Sequence, residues 1–484
     1  MHFLKRMKTV NYKLYKRGHP IDDGKIVFYD ANGDNLKDWY FKDAPVVYYQ
    51  FKFDANGGGM RVEMIISPAI QNYGCKIHRS WHITPIEEEA YKSPVQAVEK
   101  KEQYFVEEIK IENLDEGSKN GGSNKKLGII YGKEYRLKVS KYKNNKLPND
   151  NKTVKWSYSY TNAEGVATIG KIKQTGGIIT FKTDNLDFCG NNITFYAYIK
   201  NKEKEASLDV FHHYRFRWFD KKVFDDEIKK RTVSKMPWKI NQSSTSLCGM
   251  ACIFYLFAKE QPNEFKTFSE ELFRTGETVF NGYSVTPSEE ILNKNPKDSD
   301  FPEYYDYPKR KYVNMPFVDY ITMVSVRNAD NPSYKGGNEQ FEAINWPPLM
   351  TGLLENMLGY KKVESNGIYN PIKRTFTGTS NVEIQNKIDN LNKLYNEGYK
   401  LILMIDSDLI AQDKDTLKNI GQLEYHWVVL ESKIQNIQNL DTNGNIFYKY
   451  YFNVYSWGSK TKYIKKSITW QDFAHNYYGY IKIK

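Results

Sequence analysis

Gln242 and Cys248 bracket a run of small polar residues, NQSSTSLC, that opens onto the apolar stretch GMACIFYLF. A thiol becomes a strong nucleophile where positive potential stabilises its thiolate. The first turn of a helix supplies that potential through unpaired N–H groups and the macrodipole. The pattern predicts a helix beginning at Cys248, with Gln242 placed to donate its side-chain amide to a developing oxyanion. Such a thiol also needs a base. His426 and His475 are the histidines of the last 244 residues, 241–484. His426 opens the apolar run HWVVL directly after the polar segment AQDKDTLKNIGQLEY, so a strand would hold it while a cleft leaves it reachable. It is the expected base. His475, in TWQDFAHNYYGY, falls in a helix or loop. A third group usually orients the base. Asn453 is the preferred candidate in FNVYSWGS and Ser456 the alternative. On a continuous strand Asn453 and Tyr455 share a face and Ser456 points the other way. Trp457 walls the cleft or packs in the core. Cys252, one helical turn after Cys248 and inside the apolar run, is expected to be core.

The elements that must hold these residues follow from periodicity. Ser380 and Glu383 form a capping-box pattern, and Ile384, Ile388, Leu391 and Leu394 mark one helical face that Gly398 ends. LILMI (401–405), HWVVL (426–430) and YYFNVY (450–455) predict buried strands, with a turn at Asp441–Gly444 and YGYIKIK (478–484) closing the sheet. Upstream, the pattern changes to β throughout. Residues 1–115 predict a β-rich domain, in which Asp30-Ala-Asn-Gly-Asp and Asp54-Ala-Asn-Gly are turns; calcium loops would need further acidic ligands. Residues 116–217 predict an immunoglobulin-like β-sandwich. The alternating Tyr135, Leu137 and Val139, the alternating Val154, Trp156, Tyr158 and Tyr160, and the alternating Ile193, Phe195, Ala197 and Ile199 supply its strands. The Gly/Ser/Asn/Lys-rich stretch 113–126 is expected to be a linker or long loop. The charged segment 218–240 is expected to link this sandwich to an α+β domain spanning 241–484. Within that domain, 280–375 is a long insert suited to a lid or a substrate platform.

Bulk composition excludes several classes. The chain has 484 residues, 70 Lys+Arg against 58 Asp+Glu, and a formal charge of +12. The charge is spread along the chain and no zinc-finger or RNA-binding signature accompanies it, so no nucleic-acid partner is expected. No apolar run reaches the length of a membrane span, and the first residues carry charges without an apolar core, so no ordinary export signal is expected. Cys75, Cys189, Cys248 and Cys252 are too few for a disulfide scaffold. Cys75, His78 and His82 have metal-like spacing, but their setting is strand-like and a fourth ligand is missing; no metal and no cofactor are expected. His212 and His213 fall in a sandwich strand and are expected to be structural.

Together Gln242, Cys248, His426 and the following VYSWG resemble the papain-like cysteine peptidases, whose functional residues run in the order glutamine, cysteine, histidine, then asparagine or aspartate. The Cys248-Gly-Met-Ala start and the His426-Trp-Val-Val-Leu strand are more similar to the compact C39-type branch, the bacteriocin-leader peptidases. The resemblance covers about the last 240 residues. It implies Cys248 as nucleophile, His426 as general base and Gln242 at the oxyanion. The asparagine that precedes Ser-Trp-Gly in papain-like enzymes is replaced by Tyr455, and a C39-type alignment brings the aspartate position near Ser456. A Cys–His dyad is the alternative to a triad. More loosely, the upstream segments resemble β-sandwich modules that precede toxin domains in secreted bacterial effectors. That implies an antibacterial effector made in the cytoplasm and delivered by a contractile secretion system, with a protein or peptide substrate, a secretion-apparatus component and a cognate immunity protein as partners. Within the same chemistry the bond could be a cell-wall amide or a glutamine side chain. A different class is a β-sandwich binding or adhesion protein with an inactive peptidase-like domain.

Overall fold

The computed structural model describes residues 21–54, 59–72, 76–86, 103–118, 125–162, 164–337, 340–367, 380–410, 425–440, 446–458 and 468–484. The architecture is strand-rich, with several separate sheets and interspersed helices. The chain divides into two compact units, one of Met1–Phe105 with Ile199–Lys204 and one of Val106–Tyr198 with Glu205–Lys484.

The first unit is built on the long strand Asn35–Asp54, which pairs with Ile21–Tyr29, Gly59–Ile66 and Ile70–Asn72. The Asp30 turn is a plain one: its carboxylate accepts the N–H groups of Asn32 and Asp34 at 2.8 and 2.9 Å. Cys75 lies outside the described residues. His82 spends Nδ1 on the Thr84 carbonyl, and no metal-binding cluster occurs among the described residues.

In the second unit a six-stranded and a three-stranded sheet face each other. Phe181 of one meets Phe195 of the other edge-on at 5.0 Å, over a core holding Trp156, Leu137 and Ile193. Part of the expected linker at 113–126 is instead strand: Asp115–Ser118 pairs with Lys125–Ile130. The same unit continues into the α+β part without a joint. Phe216 N–H donates to the Phe273 carbonyl and Arg215 N–H to the Arg274 carbonyl.

The expected linker 218–240 is likewise corrected. Lys221–Arg231 is a helix capped by Asp220, with Phe224, Ile228 and Arg231 buried. Arg231 grips Asp319 through Nε and a second guanidinium nitrogen at 2.9 and 2.6 Å, both side chains sealed from water. Asp319 sits in the stretch expected to be a lid or a substrate platform. Parts of that stretch belong to the core, among them Val318, Tyr320, Ile321, Leu353 and Leu354, while the hairpin of Glu303–Asp306 and Lys311–Asn314 is largely exposed. Phe317–Asp330 is one helical run with a π turn at Tyr320–Val324, and Val363–Gly367 pairs with the C-terminal strand. A charge pair with this little solvent survives only when both partners are present, which ties 221–231 and 317–330 into one body.

The α+β part is organised on a five-stranded sheet in the order Val363–Gly367, Tyr477–Ile483, Lys400–Asp406, Tyr425–Leu430, Val454–Tyr455. Period-two alternation divides its side chains. Met404, Trp427, Val429 and Ile481 join the core around the Cys248–Glu260 helix. Leu403, Ile405, Val428 and Leu430 join a second core under the Asn381–Asn396 helix. The latter helix carries the capping box from Ser380 and buries Ile384, Ile388, Leu391 and Leu394.

Candidate active site

Cys248 is the first residue of its helix. Leu247, in the cap position, has no side-chain acceptor, so the helix offers its first N–H groups to other partners. Burial pushes the Cys248 thiol up to about 11, and the backbone N–H groups of Trp427, Gly249 and Cys248 itself oppose that rise only in part. The contact with Trp427 sets the sulfur against the peptide that directly follows His426. Gly249 is required by this packing: a Cβ there would come within 2.6 Å of Asn345 Cβ and 2.7 Å of Met350 Sδ.

His426 stands at the start of the Tyr425–Leu430 strand as expected, but at 4% exposed it is buried rather than open to a cleft. Its Nε2 lies 2.6 Å from Ser456 Oγ. Trp457 lies nearly parallel over the imidazole, with ring centroids 4.2 Å apart. Burial pushes the imidazole down to about 3. Two left-handed residues in succession, Trp457 at φ 44° and Gly458 at φ 71°, carry the chain over the ring.

The third-member expectation changes. The predicted strand 450–455 is broken: Ile446–Tyr451 belongs to a separate sheet, and only Val454–Tyr455 pairs with Val429–Leu430. Asn453 stands at the break. Its N–H donates to Ser432 Oγ at 2.8 Å, and its carbonyl accepts from Glu431 N–H. Glu431 is five residues along the strand from His426, roughly 17 Å at the usual rise. Asn453 therefore cannot orient His426, and Ser456 holds that place. Tyr455, standing where papain-like enzymes carry asparagine, is a structural pillar. It stacks on Tyr255 of the Cys248 helix at 3.8 Å and donates its hydroxyl to the Ile240 carbonyl at 2.6 Å.

That bond, and Asn241 N–H to Asp319 at 2.9 Å, anchor the loop carrying Gln242. Gln242 is buried, and its side-chain amide donates to the Thr245 carbonyl at 2.8 Å, which occupies one of its two N–H bonds. Asn241 packs against Gly458, so the Gln242 loop and the Trp457 turn are neighbours. Cys252 is buried at the core as expected, and burial raises its thiol well above the ordinary range. His475 lies on the Trp470–Asn476 helix and bonds the Gln471 carbonyl.

Two residues escaped the sequence pattern. Trp427 lines an apolar cavity of about 600 Å³ together with Trp346, Pro347, Met404 and Tyr478. Asn345 accepts Met250 N–H and, through its carbonyl, Trp427 Nε1–H. Nothing local in AINWPP marks Asn345, because its partners lie 95 and 82 positions away. No protein-family model, curated protein or solved structure matches the chain.

Proposed function

We propose that the α+β part of the chain is a papain-like cysteine hydrolase cutting amide bonds in a protein or peptide. The observation that carries this is the meeting of the Cys248 helix N-terminus with the His426–Trp427 peptide, with Ser456 on the far nitrogen of the imidazole. With Nε2–H donated to Ser456 Oγ, Nδ1 is free to take the thiol proton. Cys248 Sγ then attacks the carbonyl carbon, and the oxyanion is held by the Cys248 N–H and the remaining N–H of Gln242. His426 returns the proton to the leaving amine, leaving a thioester. Water, deprotonated by His426, hydrolyses it and restores the thiol. The cavity beside Trp427 would seat an apolar side chain of the substrate. The β-sandwich, immunoglobulin-like in our reading, and the first unit would serve delivery or docking. The biological setting we favour is an antibacterial effector delivered by a contractile system and neutralised by an immunity protein.

The test is hydrolysis of a mixed peptide library followed by mass spectrometry. Wild type should release fragments and Cys248→Ala none. Equal fragment release by Cys248→Ala would remove the proposal. One observation favours a second reading, a silent peptidase fold used for binding: burial holds both partners neutral, the thiol at about 11 and the imidazole at about 3. Cleavage by wild type that Cys248→Ala loses would exclude it.

A further inference from the structure

Asn345 is 2% exposed and stands over the first turn of the Cys248 helix. Its Oδ1 accepts Met250 N–H at 3.1 Å, closing the donor that Leu247 cannot cap. Its main-chain carbonyl accepts Trp427 Nε1–H at 3.1 Å. One residue thus ties the helix of the nucleophile to the strand of the base. Resting on the hydrolase reading above, we propose that Asn345 is a positioning residue of the active site. It fixes the Cys248 turn against the His426–Trp427 peptide with an acceptor that carries no charge.

The choice of amide is informative. Asp, Ser or Thr caps a helix as well as Asn does. Asn345 leaves Nδ2 buried with no hydrogen-bond partner, which is unfavourable. A carboxylate would accept from Met250 equally well, but its second oxygen, in the place of Nδ2, would be a buried charge without a donor and cost more. It would also place a negative charge two residues from the sulfur, where it opposes the thiolate. The amide gives the helix its acceptor and leaves a thiolate unopposed.

The experiment is the pH profile of iodoacetamide alkylation at Cys248, resolved by peptide mass spectrometry, beside melting temperature. It uses the full chain as wild type, His426→Ala, Asn345→Asp and Asn345→Ala. Wild type should label at Cys248 faster than at Cys252, and His426→Ala should lose that advantage. Should this control fail, the hydrolase reading fails and the inference falls with it. With the control met, Asn345→Asp should lower the melting temperature, labelling at pH 7.5 should drop roughly tenfold and the profile should move to higher pH. Asn345→Ala should also slow labelling, without the alkaline displacement. An Asn345→Asp profile that overlays wild type would overturn the inference and leave the hydrolase reading standing, whether or not Asn345→Ala folds.

Discussion

Two buried histidines of the second unit share one electrostatic fate and almost nothing else. His212, in the sandwich, and His426, on the five-stranded sheet, are both pushed down to about 3 by burial. His212 meets Phe188 edge-on at 5.9 Å, and neither of its ring nitrogens has a partner. His426 has a hydroxyl on Nε2, an indole across its face and a thiol-bearing helix terminus at the next peptide. A depressed imidazole therefore marks burial and nothing more. Chemistry is read from what the ring nitrogens face, and of the two only His426 has a hydrogen-bond partner on a ring nitrogen.

The largest separation between the two should come from removing each ring. His426→Ala should lower peptide hydrolysis by about a thousandfold or more, as the loss of a general base does in comparable enzymes. His212→Leu should leave hydrolysis unchanged and alter stability instead. The sign follows from linkage. Above pH 6.5 both folded and unfolded chains hold these histidines neutral. Below it the unfolded chain takes up protons that the buried rings refuse, so stability falls as pH drops toward about 3. Each ring contributes about 1.4 kcal/mol per pH unit across that window. His213, pushed down to about 4, adds to the same slope. Thermal melts from pH 7.5 to 4.5 should show a shallower loss in His212→Leu than in wild type; identical slopes would mean that His212 accepts a proton in the fold.

A smaller effect tests the orienting bond. Ser456→Ala removes the partner of Nε2 and frees the ring to rotate. We expect kcat to fall about ten- to a hundredfold with KM nearly unchanged, whereas Asn453→Ala should lie within a factor of about two of wild type. Equal losses in the two variants would return Asn453 to the site.

Smaller still is the change on uncovering the ring. Trp457→Ala opens His426 to water, which relieves the desolvation that depresses it. NMR titration of the imidazole should show its pKa rising from about 3 toward the ordinary value, with His212 unmoved. A His426 titration that does not respond would assign the depression to deeper burial than the indole provides.

The sequence made the individual elements of the α+β part visible because they are local. The capping box at Ser380, the apolar stripe after it and the runs 401–405 and 426–430 all stand in the fold as their periodicity implied. Cys248 at a helix start and His426 at a strand start follow from the same local logic. Long-range partnerships were hidden. The segment 221–231 reads as a charged linker until Arg231 finds Asp319, 88 positions away. The break at Phe452–Asn453 is set by Ser432 and Glu431 on a neighbouring segment, so a continuous strand was the natural expectation and Asn453 the wrong third member. Ser456 reaches His426 because the chain turns at Trp457 and Gly458 with positive φ.

The central claim is that Cys248 and His426 act as one nucleophilic pair. The most direct test exposes the protein to a peptidyl chloromethyl ketone carrying an aromatic residue and measures intact mass and the modified peptide. The account predicts a single adduct, on Cys248, that forms rapidly in wild type and at least tenfold more slowly in His426→Ala. An adduct on another cysteine, or one on Cys248 whose rate ignores His426, would contradict it.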